Sequence, residues 1–537
     1  MHIKKSKSKL DIIKNEHYVY KNIFKINFRE KKLKKTNLKN ILFCIFSFVI
    51  IFSIIVVKPL SDLDEIWNYN TARAVSIGLI PYKDISLITT PFLPIFTAII
   101  LKIFGNEIIV SRVLAAILWT GIFFTTYKIL EKLFKEENFA FIVTIIIGII
   151  CRDIFCIDYN VAVLLISLII LYMELNRNNE KKQTKRDYII GILAGIAICT
   201  KQSIGLTLSF VVVLYNLLLI KNKDEAKEYL KISLKRIVGI LIPLIIMILY
   251  LLITEAMNEF INYAILGIKT FSNKIPYYKL FENSNFEIRI LSKLVPIFII
   301  LTGTILLISK ISKKQDKKTN NLFTIFIYSF SIIIVMYPIA DKIHFLLGSY
   351  ITIIEIAYLI YLLGYSINSK IKFKKKLFIY KIITLICGIA LFVFTFKFGI
   401  ENTIEYAKQD KNTDIKHYKY IYVNEIIKKK ILTLDNYISE CEKQGKKVYI
   451  LDAEAALYMI PIDKYNKDYD MFLKGNIGKD GEQGQIEKIE QSNENCLYLI
   501  RKKEYNNNWQ TPTKVLEHIR NSLEKVDEIE IFDVYEK

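Results

Sequence analysis

The chain has 537 residues, 53% of them hydrophobic and 23% charged, with a formal net charge of +22 at pH 7. Apolar runs of roughly 20 residues recur along it, each long enough to cross about 30 Å of hydrocarbon, which excludes an ordinary soluble enzyme. The charge does not point to nucleic acid, because Lys and Arg sit in short blocks between apolar runs, as they do in cytoplasmic loops.

Residues 1–39 hold thirteen Lys or Arg and no apolar run, which predicts a cytoplasmic basic arm. The run at 40–57 lacks a small-residue cleavage site and reads as a retained span rather than a signal peptide. The next stretch, the first outer loop at 58–107, does not behave like a span. Asp62, Asp64 and Glu65 lie just past the bilayer edge, and acidic residues suit a helix start because its N–H groups are unpaired. A helix from Asp64 puts Ile66, Trp67, Ala74 and Ile77 on one side, with Asn68, Arg73 and Ser76 facing elsewhere. Such a helix would lie along the membrane surface and end at Gly78. Pro81 to Asp84 reads as a turn.

The run at 91–104 carries two Pro and is short for a crossing. If it does not span, further spans fall at 108–127, 139–151, 159–175, 188–200, 203–220, 237–254, 288–309, 322–339, 344–364 and 378–397. Every basic block then lies on one side, which predicts eleven spans, the N-terminus inside and the C-terminus outside. The remaining connections, Cys151–Asn160, Thr200–Ser203, Glu255–Glu287 and Tyr337–His344, join the first loop on the outer face. Together they predict a polar crevice at headgroup depth. From about residue 400 the composition becomes mixed in charge. Strands at 447–452, 496–500 and 528–535, with helices at 453–459 and 513–525, predict a small α/β domain over 400–537. Residues 463–485 read as a long loop. Of the seven Cys, five lie in or beside spans and none forms a CxxC pair, which argues against a metal knuckle.

The outer-face residues carry the candidate chemistry. A base that deprotonates an acceptor hydroxyl needs a carboxylate near the reacting atom, and Asp62, Asp64 and Glu65 offer three. Asp62 and Asp64 can also share a Mg²⁺ or Mn²⁺ ion; the same residues equally suit a plain acidic helix cap. Arg73, Lys83 and Lys201 can each meet a phosphate. Lys201 is the most informative, because the positive-inside rule disfavours it at an outer face; the bland reading is a snorkelling Lys. Asp341 and His344, three apart, can bond each other or a sugar hydroxyl, and Asp153, Asp158 and Asn160 form a similar group. Glu355 lies mid-span, where an ionisable group is a functional hypothesis by default. A neutral or paired carboxyl buried between helices is the preferred reading, although Glu355 would also suit a proton-coupled transporter. The sequence has no P-loop, GxSxG, HExxH or Rossmann glycine set, so no site for cytosolic nucleotide chemistry is visible.

Four stretches resemble the GT-C class of integral-membrane glycosyltransferases, in particular the family 39-like group of protein O-mannosyltransferases and bacterial aminoarabinose transferases. They are Asp64-Glu65 with Ala72-Arg73; Gly78–Asp84, Thr90-Pro91 through Phe104-Gly105 and Ser111-Arg112; Gly191–Gly205 with its Thr200-Lys201; and Pro338–His344. Thr90 stands where many members have Pro, and Trp67 where the aminoarabinose transferases have Arg. The tail from 400 matches nothing in that family. The resemblance implies an inverting transfer of a sugar from a polyprenyl-phosphate donor to an envelope glycan, lipid or protein on the extracytoplasmic side of a bacterial membrane. It implies Asp64 as base, Glu65 as second carboxylate, Lys201 at the donor phosphate and Arg73 as a structural or phosphate-facing partner. Asp84, Asp158, Asp341 and His344 are the residues expected to line the substrate. No cofactor beyond such a divalent cation is expected. The rival readings are a lipid or sugar transporter or flippase, and a non-catalytic envelope scaffold.

Overall fold

A computed structural model describes residues 37–60, 63–134, 136–177, 184–220, 222–270, 274–312, 316–370, 374–492, 495–505 and 510–537. Met1–Val49 and Ile50–Lys537 form two compact units. The described part of the first is the beginning of helix α1, Asn37–Val56. The predicted basic arm lies outside the described residues apart from its last three positions.

Helix α2 (Leu63–Ser76) carries Asp64 and Glu65 in its first turn and Arg73 in its last, each where the helix dipole favours its charge. A turn through Tyr82 leads to α3 (Phe92–Phe104), which packs on α2. At 13 residues α3 is about 20 Å long, short of the hydrocarbon thickness. The bundle continues with α4 (Ile108–Phe134), α5 (Glu137–Cys151), α6 (Tyr159–Leu175), α7 (Thr184–Thr200), α8 (Gln202–Leu218) and α9 (Lys223–Ile253). A short α10 (Met257–Phe260) runs into one π turn, Ile261–Leu266. Then come α11 (Phe286–Ile311), α12 (Lys317–Ser329), α13 (Lys342–Gly348), α14 (Tyr350–Lys370) and α15 (Lys374–Lys408).

Each predicted span falls on one or two of these helices. Six described helices are long and apolar enough to cross a membrane, or seven if α13 and α14, bent by 56°, count as one span. The chain is a multi-pass membrane protein. The helices α5 to α8 are 15 to 17 residues long. Helix α15 runs unbroken past residue 400 to Lys408.

Close backbone approach fixes the centre of the bundle. A Cβ on Gly191 of α7 would lie 2.2 Å from the Arg236 carbonyl oxygen of α9, so this crossing requires a residue without a side chain. At the break between α7 and α8, a Cβ on Gly205 would lie 2.2 Å from the Ile198 nitrogen. That contact folds α8 back on α7 and leaves Lys201 at the tip of the break.

The tail adds α16 (Glu425–Lys443), β1 (Lys447–Ile450), α17 (Ala455–Met459), α18 (Gly481–Gln491), β2 (Cys496–Arg501), α19 (Thr513–Ser522), β3 (Glu524–Ile529) and β4 (Phe532–Glu536). The sheet order is β1-β2-β4-β3, with β1 parallel to β2 and the other pairs antiparallel. The expected single closing strand is a hairpin, turned at Glu530 in the left-handed region (φ 50°). Alternation sends Val448, Ile450, Leu497, Leu499, Phe532 and Val534 to one face, against α16, α17 and the first loop's Leu60, Ile66, Tyr69 and Ala72. Tyr498, Ile500 and Tyr535 face α18 and α19 on the other side. The apolar face of α2 therefore packs in a core shared with the tail, where a surface-lying helix was expected.

Gly205→Ala is expected to cost about 1–3 kcal/mol through the clash with the α7 backbone. Thermal unfolding in detergent should show a lowered Tm, with Gly364→Ala, which meets nothing within 4 Å, as the neutral control.

Candidate active site

Several connections meet at one end of the bundle. The Lys58 ammonium donates to the carbonyls of Asp153 and Phe155, at 3.0 and 3.2 Å. The Thr90 hydroxyl donates to the Ile198 carbonyl at 2.6 Å. The Gln202 amide donates to the carbonyls of Ile88 and Ala264, both at 2.8 Å. Lys342 pairs with Asp153. The loops expected on the outer face are thus tied to one another.

Within this end, the loop after α5 is buttressed from α4. Trp119 is fully buried, its ring centroid 4.8 Å from that of Phe155, and its indole N–H donates to the Cys156 carbonyl at 3.2 Å. The loop ends at Asp158, which caps α6 by accepting the Asn160 N–H at 2.6 Å. Lys201, reaching over from the α7–α8 break, donates to the Asn160 side-chain oxygen at 2.8 Å. Its ammonium also lies 4.2 Å from the centroid of the Tyr159 ring, a cation–π distance.

The electrostatics join these groups to α2 and α13. Desolvation pulls the Lys201 ammonium down to about 8, and the negative charges of Asp158 and Asp64 act against that pull. Burial pushes the Asp158 carboxyl up, with Lys201, the Asn160 N–H and His344 opposing. Asp341 caps α13, accepting the His344 N–H at 2.9 Å, while His344 Nδ1 lies 2.8 Å away. Burial disfavours the charge of Asp341, but its bonds to His344 prevail and hold the carboxyl below its ordinary value. The charges of Asp64 and Asp341 also both reach the Tyr159 hydroxyl. Asp64, Asp158, Lys201, Asp341 and His344 therefore form one neighbourhood. Sequence reasoning did not single out Tyr159; an aromatic directly after a helix cap was its only signal.

The other expected residues have different surroundings. Both oxygens of buried Glu65 are taken by Arg112 of α4, at 2.7 and 2.9 Å, so Glu65 anchors α2. The fork of Arg112 also donates to the Lys58 carbonyl at 2.8 Å, which holds the end of α1 at the same point. Asp84 closes its own turn, accepting the Ile80 N–H at 2.8 Å. Lys83 pairs with Glu255 at 3.2 Å. Asp153 is engaged by Lys342 and Arg152. Asp62, the expected partner of Asp64 at a cation, lies outside the described residues. Among the described residues no three His, Cys, Asp or Glu side chains converge as metal ligands.

Arg73 adopts the structural alternative. It is fully buried and donates to Asn70 at 3.0 Å and to the Lys464 carbonyl of the tail at 2.7 Å, with Asp463 3.6 Å away. Beside it, Asn70 donates to Asp470 at 3.2 Å, and the second oxygen of Asp470 has no hydrogen-bond partner. This joint between α2 and the tail was not legible in the sequence, because its two halves are about 400 residues apart.

No protein-family profile matches the sequence, and no curated protein matches it. The fold does find counterparts. ArnT from Cupriavidus metallidurans in the apo state superimposes with a TM-score of 0.56 at 10% identity, over 94% of this chain and 98% of that one. ArnT from the same organism bound to undecaprenyl phosphate gives 0.52 at 11% identity, over 92% and 97%. This chain has the GT-C fold. The likeness takes in the tail of the GT-C chain as well as its bundle, since it covers nearly the whole of both proteins.

The joint makes stability depend on pH. Burial pushes Asp470 up to about 7 from an ordinary 3.8, so the folded state binds this proton more tightly than the unfolded chain. Its contribution is complete below about pH 4, declines as pH rises, and is lost above about pH 7. The melting temperature of wild type, minus that of Asp470→Asn, should fall across that window by the equivalent of a few kcal/mol.

Proposed function

We propose that this protein is a membrane glycosyltransferase that moves a sugar from a polyprenyl-phosphate donor to an acceptor on the outer face. The observation that carries the reading is the Lys201 ammonium, held by Asn160 and Tyr159 within the field of Asp64 and Asp158 at the looped end of a GT-C fold. A structure of ArnT with the same fold is bound to undecaprenyl phosphate, which supports a lipid phosphate as the group that Lys201 meets.

In this reading the acceptor oxygen attacks the anomeric carbon as the bond from that carbon to the phosphate oxygen breaks. The electron pair leaves on the phosphate, where the Lys201 cation stabilises it. Asp64, half-buried at the start of α2, takes the proton of the acceptor hydroxyl. Attack opposite the leaving group inverts the anomeric centre. His344, oriented by Asp341, hydrogen-bonds sugar hydroxyls, and Asp158 keeps Lys201 charged. Glu65 and Arg73 set the position of α2. The basic blocks between the apolar runs support a looped end and tail outside and an N-terminus in the cytoplasm. The tail, joined to α2, covers the site or binds the acceptor. A divalent cation, if used, would be shared by Asp62 and Asp64, and loss of transfer on chelation would assign them that Mg²⁺ or Mn²⁺.

The test is transfer from a panel of radiolabelled polyprenyl-phosphate sugars, with envelope extract as acceptor, by the full chain in proteoliposomes. Wild type should transfer from at least one donor, and Asp64→Asn should lower the rate by at least about 100-fold while melting as wild type does. Transfer that survives Asp64→Asn would move the base elsewhere, and failure with every donor would overturn the reading.

A further inference from the structure

Glu355 sits on α14 with no solvent exposure, and neither carboxyl oxygen has a hydrogen-bond partner. An ionised carboxylate in such surroundings is too costly to persist alone. Among the described residues, no charged side chain of either sign acts on it from α14 or from α4, α11, α12 and α13, which pack against that helix; its polar neighbours are the hydroxyls of Thr302 on α11 and Ser329 on α12. Both are fully buried and close enough to act on the carboxyl, although neither makes a well-angled hydrogen bond to it.

The hydroxyls are arranged unusually for transmembrane helices. Thr120, Thr125, Thr144, Thr304, Thr324 and Thr395 each donate to the carbonyl four residues back, the usual way to satisfy a hydroxyl away from water. Thr302 does not, and neither does Thr352, which is 1% exposed and lies one turn before Glu355 on the same face of α14. Ser329 already donates to the Phe326 carbonyl at 2.7 Å, so its oxygen can only accept, or ligate. Two hydroxyl oxygens and two carboxyl oxygens are thus brought together, with the Thr352 hydroxyl one turn away on α14. A protonated Glu355 would donate one hydrogen bond, and the Thr302 hydroxyl would have to turn towards the carboxyl to donate another. A small hard cation would serve several of these oxygens at once, and the single carboxylate matches a single positive charge.

We propose that Glu355, Thr302, Ser329 and Thr352 form an intramembrane, all-oxygen site for a monovalent cation of sodium size. The bound ion neutralises Glu355 and fixes α14 against α11 and α12. Helix α14 follows α13, which begins at the Asp341 cap, so occupancy also steadies the helix that carries His344. The inference is independent of glycosyl transfer.

The test uses the full chain in detergent, melted in sodium chloride and in choline chloride at equal ionic strength, together with equilibrium binding of radiolabelled sodium. Wild type should melt higher in sodium and bind it saturably. The shift should shrink as pH falls and protons compete, and Glu355→Gln should lose both shift and binding. Equal melting in the two salts with no saturable sodium would mean that Glu355 is simply protonated, and would overturn the proposal. A shift that persists in Glu355→Gln would overturn it too. If Glu355→Gln fails to fold, Thr302→Val keeps the carboxyl and removes one ligand; weakened sodium binding supports the site and unchanged binding contradicts it.

Discussion

An ammonium taken out of water at a membrane boundary must be compensated, and the compensation of Lys201 organises one end of this protein. Removing such a charge from water costs several kcal/mol unless charges and dipoles replace the solvent. Here Asn160 supplies an oxygen, Tyr159 a ring face, and Asp158 and Asp64 negative charge. Each depends on a backbone feature: the cap of α6, the break between α7 and α8, and the tight contact at Gly205 that folds the break. The cation has protein partners on its sides, and a phosphate would add the anion that best balances it.

Helix α2 is the second constraint, because in the proposed reaction it carries Asp64, whose charge reaches that cation. It is pinned at several points. Glu65 is held by the Arg112 fork, the Trp67 indole donates to the Ala453 carbonyl at 2.8 Å, and the Tyr69 hydroxyl donates to the Asn106 carbonyl at 2.8 Å. Arg73 and Asn70 fasten its last turns to the tail. A carboxylate on so constrained an element needs little reorganisation to act, which is the structural condition for precise proton transfer. The tail is therefore part of the framework that positions α2.

Much of this was legible in the sequence, for physical reasons. Apolar run length located the span helices, and the distribution of Lys and Arg identified the loops that meet around Lys201. Short apolar runs located β1 and β2. What escaped was set by long-range contact or by turn chemistry. The run from Glu528 to Tyr535 reads as one strand, and Glu524-Lys525 as the end of a helix, because the turn at Glu530 carries no Gly or Asn to mark it. The partners of Arg73 could not be named because most of them are in the tail. Glu65 reads as equivalent to Asp64, yet one position of helical rotation turns it into the core towards Arg112. The polar group around Glu355 was half visible: the carboxyl stood out in an apolar run, while the hydroxyls around it come from separate helices.

The measurement that tests the account most directly is equilibrium binding of undecaprenyl phosphate to the full chain as a function of pH, with Lys201→Met as comparison. If the Lys201 ammonium meets the lipid phosphate, wild-type affinity should fall as pH rises above about 8 and the ammonium loses its proton, and Lys201→Met should bind weakly with no such fall. Equal affinity in the two proteins, with wild type indifferent to pH across that value, would contradict the assignment of Lys201 to the phosphate and with it the proposed site.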